Sequence, residues 1–164
     1  MVGVGGVVIR DGRALLIRRG SEPLKGEWSI PGGILEVGET LKEGVARELL
    51  EETGLQVNVA ELIEVFERIF RKGEESNAPL PGIEMPARVA TKAGSGAEAQ
   101  DRPLYHFIIL DYLCDVVSGE AHAGGDVTDL VFATEEELQN YHLTPTATRV
   151  IKKAFAMSRS RASN

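Results

Sequence analysis

A single cysteine, Cys114, stands in the 164 residues. No disulfide can close within such a chain, and a reducing cytoplasm is the compartment it fits. Long apolar runs are missing too. Val2–Ile9 is short, holds three glycines and stops at Arg10-Asp11, which excludes a signal-peptide core and a membrane span. No basic cluster is present, and the formal charge is −7. Duplex nucleic acid is therefore not the expected partner, since binding its backbone needs gathered Lys and Arg. A small phosphorylated ligand stays compatible with an acidic chain, because divalent cations can mediate the contact. No internal repeat is found.

What is present is the balance of a globular protein: 43% hydrophobic and 26% charged residues. The length suits one domain, read as residues 1–157 with a polar, frayed tail over 158–164. Val4–Ile9 and Ala14–Arg18 read as strands joined by a hairpin at Asp11-Gly12. Trp28–Ile30 is a short strand that Pro31-Gly32-Gly33 ends abruptly. Thr40, with Glu43 three residues later, forms a capping box for a helix stopped by Gly54. Val57–Phe70 and Leu104–Val117 predict long strands, the first with a bulge, and Leu130–Ala133 a shorter one. Glu135–Gln139 starts a short helix and Thr144–Met157 forms a final amphipathic one. Between the long strands, residues 72–103 are rich in Gly, Pro, Ala and Ser and read as a loop insertion within the domain.

On the helix Leu41–Thr53, the residues Leu41, Val45, Ala46, Leu49 and Leu50 fall on one side. Glu48, Glu51 and Glu52 fall within about 100° on the other, an exposed arc of like charges that repel. Gly44 lies one turn earlier and leaves space beside them, while Arg47 stands to one side, placed to pair with Glu43 or Glu51. A divalent cation would turn the repulsion into attraction, and oxygen ligands suit Mg²⁺ or Mn²⁺. A solvated acidic face on a surface helix is the alternative reading. The paired glycines before the helix permit a close backbone approach to an ion or phosphate, or make only a turn.

Read together, the pieces are Gly33, five residues, Glu39, seven residues, then Arg47-Glu48-Leu49-Leu50-Glu51-Glu52-Thr53-Gly54-Leu55. This resembles the Nudix box, with all nine of its defining positions filled across 23 residues. The resemblance implies an α/β/α sandwich around a mixed β-sheet, with the box as a loop–helix–loop. It implies a Mg²⁺-dependent hydrolase (Mn²⁺ able to substitute) that splits the diphosphate linkage of a small nucleotide substrate. Carried onto matching positions, Glu51 and Glu52 would be the principal metal ligands, and Glu48 a third ligand or the general base. Glu39 would support the metal shell or the loop. Arg47 would orient the carboxylates, and the Gly33 carbonyl would be a further ligand. An acidic residue from a later loop often joins them. Asp126 is the first choice and Glu120 the second, although a turn aspartate before a strand would look the same.

For the substrate, Leu24–Glu36, Glu64–Arg71 and Tyr105–Cys114 look most like the ADP-ribose pyrophosphatase-like members. The proline or tyrosine that marks some subclasses beyond the box is absent, with Phe70-Arg71-Lys72 in its place. The alternatives are a MutT-like nucleoside triphosphate pyrophosphohydrolase and a non-catalytic nucleotide sensor. The complete set of Arg47, Glu48, Glu51 and Glu52 argues against the sensor. Arg18, Arg19, Arg68 and Arg71 sit at strand ends where they could meet phosphates, or serve as ordinary surface arginines. Trp28 reads as packing, His106 and His122 as incidental, and Cys114 as core. Family members are often dimers, so the resemblance allows a homodimer.

Overall fold

The computed structural model describes residues 1–21, 25–71 and 103–163. The expected insertion therefore falls almost wholly outside the described residues. Strand β1 (Val2–Arg10) turns through Asp11 and Gly12, both at positive φ, into β2 (Arg13–Arg19). That pair of left-handed residues is what a two-residue hairpin with the natural strand twist demands. β3 (Trp28–Ser29) pairs with β2, and β4 (Gly32–Ile34) pairs antiparallel with β1. Pro31 ends β3, but the glycines do not simply turn; they form a strand of their own. A Cβ on Gly32 would lie 2.3 Å from the Val4 carbonyl oxygen, so the missing side chain is what permits the pairing.

Helix α1 (Leu41–Thr53) has its capping box in place, with Thr40 and Glu43 satisfying each other's backbone groups, and the left-handed Gly54 closes it. β5 (Gln56–Arg71) and β6 (Pro103–Ser118) form a long antiparallel pair broken by bulges near Ala60 and Ile63. β6 runs parallel to β1, and β7 (Val127–Ala133) lies against β2. A 3-10 turn over Glu137–Tyr141 replaces the helix expected from Glu135. Helix α2 (Pro145–Ala162) continues five residues beyond Met157, through the segment expected to fray. Arg159 pairs there with Glu135, and Arg161 with Asp115 and Glu61. Those partners lie on other elements and were invisible to periodicity.

The mixed sheet runs β3-β2-β1-β6-β5, with β4 on β1 and β7 on β2. Strands alternate their side chains between faces. Val4, Val8, Tyr112 and Cys114 thus meet Val45, Leu49 and Leu55 at or beside α1. Val7 and Leu113 meet Val150 and Ala154 of α2 on the opposite face. The result is an α/β/α sandwich, as expected. No helix among the described residues is long and apolar enough to cross a membrane.

Candidate active site

The strand β4 lies across the carboxylate side of α1. The Gly32 amide donates to Glu52 Oε2 at 2.8 Å, and a Cβ on Gly33 would fall 2.3 Å from Glu48 Oε1. Any larger residue at Gly33 would displace the Glu48 carboxylate. The glycines thus hold a backbone strand directly against two charged groups. Gly44 plays a different part from the one expected. Its missing side chain makes room for Leu35, whose Cδ1 would lie 2.7 Å from a Cβ there, and for Glu39 Oε2 at 3.3 Å, so it seats the loop on the helix.

Arg47 is the centre of the outer part of the site. Its Nε and Nη2 donate to Glu39 at 2.7 and 3.1 Å, Nη1 to Glu48 at 2.8 Å, and Nη2 also to the Ile34 carbonyl at 3.0 Å. Glu51 lies further off, at 3.4 Å. Glu43 is not a partner, because its carboxylate is taken by Thr40. The guanidinium therefore binds the loop before α1 to the helix, and beside Glu39 its own pKa is raised. Hydrogen bonds from Arg47 hold the Glu39 carboxyl below the usual range.

The acidic arc is not the uniformly exposed face read from the wheel. Glu51 is open to solvent, Glu48 is half-buried, and Glu52 is only 5% exposed. Burial pushes Glu52 up to about 8, with Glu48 and Asp126 adding repulsion against the Gly32 hydrogen bond and Arg19. Burial also raises Glu48, against the pull of Arg47. Among the described residues no group of three His, Cys, Asp or Glu side chains is arranged to hold a metal ion. The donor chemistry nevertheless fits a hard divalent cation, since crowded, desolvated carboxylate oxygens lack enough positive charge.

Inside the sandwich these groups meet a cavity of about 450 Å³, of the size that small ligands occupy. Glu52, Gly32 and Gly33 line one part of it, with Arg19, Arg68, Asp111 and the first turn of α2 around the rest. Arg19 is 5% exposed, and among the described residues neither its Nε nor its Nη2 has a hydrogen-bond partner. Burial lowers its pKa, while Asp126, Glu52 and Glu27 favour its charge. Arg68 is half-buried, and its pKa is also lowered by burial. Asp111 is 5% exposed, with its carboxyl pushed up to about 7 by burial and by Glu64.

The sequence-derived arginines thus divide. Arg68 lines the cavity, whereas Arg18 is exposed and donates to the Gly26 carbonyl at 2.9 Å. The Arg71 side chain lies outside the described residues. Arg19, which strand alternation turns inward beside Arg18, is the buried one. Asp126 is exposed and accepts from Ser21 Oγ at 2.5 Å. Its loop touches α1, since the Gly124 amide donates to the Glu52 carbonyl. Glu120 is exposed, and its carbonyl meets His122 Nδ1. Trp28 stacks edge-on against Tyr141 at 5.1 Å, a packing role. His106 pairs with Glu67 on the surface, and buried Cys114 is pushed up to about 12, far from a reactive thiolate. Asp111 was not singled out from sequence; an acid inside the largely apolar run 107–114 was the available signal.

Comparison with known proteins bears on the whole chain. Residues 1–154 match the family model described as the NUDIX domain. An ADP-ribose pyrophosphatase of Methanocaldococcus jannaschii is 33% identical over 132 residues, covering 80% of this chain and 60% of that protein. A MutT-like protein of Streptomyces ambofaciens is 52% identical over 71 residues, 43% of this chain and 44% of its own length. The chain therefore spans roughly half of these curated relatives. The crystal structure of a MutT NUDIX hydrolase from Burkholderia pseudomallei superimposes with a TM-score of 0.65 at 25% identity, covering 93% of this chain and 95% of that one.

Proposed function

The chain belongs to the NUDIX family, and from that premise we propose that it hydrolyses the diphosphate linkage of a nucleoside diphosphate joined to another group, ADP-ribose or a related nucleotide sugar. The observation that carries this reading is Glu52, a buried carboxyl held by a glycine amide at the wall of a cavity that also contains a buried arginine, whose Nε and Nη2 have no hydrogen-bond partner among the described residues. Polar groups left unsatisfied at such cost mark a place where a ligand supplies the partners. The relative named ADP-ribose pyrophosphatase matches over most of the chain, which supports this substrate class.

Glu51, Glu52 and Glu48, the Gly33 carbonyl and Asp126 are the groups that would hold a divalent cation, Mg²⁺ with Mn²⁺ able to substitute. When bound, the cation neutralises charge on the phosphate oxygens and activates water. The chain's own groups do the rest. Arg47 fixes the Glu48 carboxylate and ties it to Glu39 and the loop. Held there, Glu48 would serve as a third ligand or as the base that takes a proton from the attacking water. Arg19 offers Nε and Nη2 to a phosphate oxygen inside the cavity, and Arg68 adds positive charge to its wall. We place the reaction in a reducing cytoplasm, the compartment that a lone cysteine fits.

A second reading has its own support. The MutT-like match is the more identical of the two, though confined to 71 residues, and the alternative it supports is a MutT-like hydrolase, for which we propose nucleoside triphosphates. Product analysis separates them. With Mg²⁺, the purified protein is offered ADP-ribose, other nucleotide sugars, NADH, dinucleoside polyphosphates and oxidised and normal dNTPs. AMP and ribose 5-phosphate from ADP-ribose is the expected result. Monophosphate and pyrophosphate from the triphosphates would move the assignment to the second reading, and turnover of none would overturn both.

A further inference from the structure

We propose that Asp111, with Phe66 and Ile109 beside it, forms the subsite that recognises the heterocyclic base of the substrate, its carboxyl engaging a ring or exocyclic N–H. The inference rests on the nucleotide-hydrolase reading and extends it to the part of the ligand away from the diphosphate.

The placement comes from strand register. Ile109 and Asp111 are two residues apart on β6 and face the same side, and Phe66 of β5 is paired with Ile109. All three line the cavity that Arg19 and Glu52 also enter. Gly5 of β1 is paired with Asp111, and a Cβ there would fall 2.2 Å from Asp111 Oδ1. The strand at the centre of the sheet therefore carries a glycine where this carboxyl lies.

Among the described residues, that carboxyl is left without a partner. It is 5% exposed, and no described residue donates a hydrogen bond to it. Glu64 acts on it repulsively, and Glu64 is itself held by Arg149 and Lys153 of α2. A buried acid with no donor destabilises the fold and is normally removed by substitution. A ligand donor would satisfy it. Sugar hydroxyls and base N–H groups both qualify, but the adjoining surfaces are the flat ring of Phe66 and the aliphatic Ile109. That ring and aliphatic chain suit the face of a purine or pyrimidine, while the hydroxyl side chains Ser29, Thr144 and Thr146 lie elsewhere on the same wall. The carboxyl's upward shift to about 7 is consistent, since a protonated acid offers one donor and one acceptor to a base edge.

The test uses nucleoside diphosphoriboses that differ only in the base: adenine, guanine, uracil, and purine without its exocyclic amine. Wild-type, Asp111→Ala and Asp111→Asn proteins are compared by kcat/KM and by thermal unfolding. The wild type should discriminate by about tenfold or more between the best and worst base, the range a missing hydrogen bond to a buried group produces. Asp111→Ala should compress that range to within about threefold by raising KM for the best base, with kcat retained. Its melting temperature should be unchanged or higher. Asp111→Asn, which keeps a donor and an acceptor, should retain part of the discrimination. Equal base preference in wild type and Asp111→Ala, or no preference in the wild type, overturns the inference and leaves diphosphate hydrolysis standing. If the wild type hydrolyses no diphosphate, the functional reading falls instead. Calorimetric binding of adenosine 5′-monophosphate against ribose 5-phosphate then decides Asp111 separately: an advantage for the nucleotide that is lost in Asp111→Ala supports it, and equal binding in all three proteins overturns it.

Discussion

Two arginines divide this molecule. Arg47, on the outer side of α1, donates four hydrogen bonds of 2.7–3.1 Å to Glu39, Glu48 and the Ile34 carbonyl. Arg19, on the cavity side, is buried and leaves Nε and Nη2 without partners among the described residues. The outer region is electrostatically self-contained: the charges that order it are supplied by the chain. The inner region is incomplete, holding Arg19, Glu52 and Asp111 in low dielectric with too few internal partners. The difference separates charges that build the site from charges that wait for a ligand. It predicts opposite signs for stability when each is removed.

The sharpest test is Glu52→Gln. The amide keeps an oxygen for the Gly32 N–H but carries no charge, so turnover with a divalent cation should fall by about a thousandfold. Stability of the cation-free protein should move the other way. Glu52 is raised to about 8 in the folded state from a reference of 4.5, so the native state holds the proton more tightly than the unfolded one. Stability is then fully present below pH 4.5 and is lost as pH rises toward 8. Asp111, raised to about 7 from 3.8, adds to the same decline. Thermal melts in chelator from pH 5 to 8 should show the wild type weakening with rising pH, and Glu52→Gln weakening less and melting higher at pH 8. A wild-type curve that rises over that window would show that Glu52 and Asp111 are not the strained groups described here.

On the paired side, Arg47→Ala should cost about 2 kcal/mol in urea unfolding, less than a fully buried pair because solvent screens the outer carboxylates. Arg47→Lys should recover only part of it, since one ammonium cannot span Glu39, Glu48 and the Ile34 carbonyl together. Full recovery by lysine would mean that charge alone, not the planar fork, ties the loop to the helix.

The two regions were not equally legible in the sequence. The outer one is local: the capping box, the helix, Gly54 and the spacing from Gly33 to Leu55 lie within one stretch, and helical periodicity placed Glu48, Glu51 and Glu52 on one side. Their depth was not legible. A wheel gives direction around an axis and knows nothing of β4, whose glycines cover Glu48 and Glu52 and make the latter a buried acid. The cavity was harder still, because it is built from strands distant in sequence. Glu52 lies 33 residues from Arg19 and 59 from Asp111, and only the sheet's register brings all three around one space. The same limit hid the end of α2, whose last turn is held by Asp115 and Glu61 from other strands.

Arg18 and Arg19 give the smallest effects and the cleanest internal control, because they differ by one residue and by which side of β2 they occupy. Sequence alone offered both as phosphate contacts. In the structure Arg18 is exposed, with its Nε on the Gly26 carbonyl, and its removal should change stability by no more than about 0.5 kcal/mol. KM for the best substrate in Arg18→Ala should stay within about twofold of wild type. Arg19→Met fills the same volume with an apolar chain and removes buried donors that lack partners, so stability should rise by about 1 kcal/mol. KM should increase, by about tenfold or more, because a charge-assisted contact to phosphate is lost in a desolvated place. A stability loss in Arg19→Met equal to that in Arg47→Ala would erase the distinction between the two regions, because Arg19 would then be building the fold. Raised stability with an unchanged KM would leave it buried to no purpose that the diphosphate reading supplies.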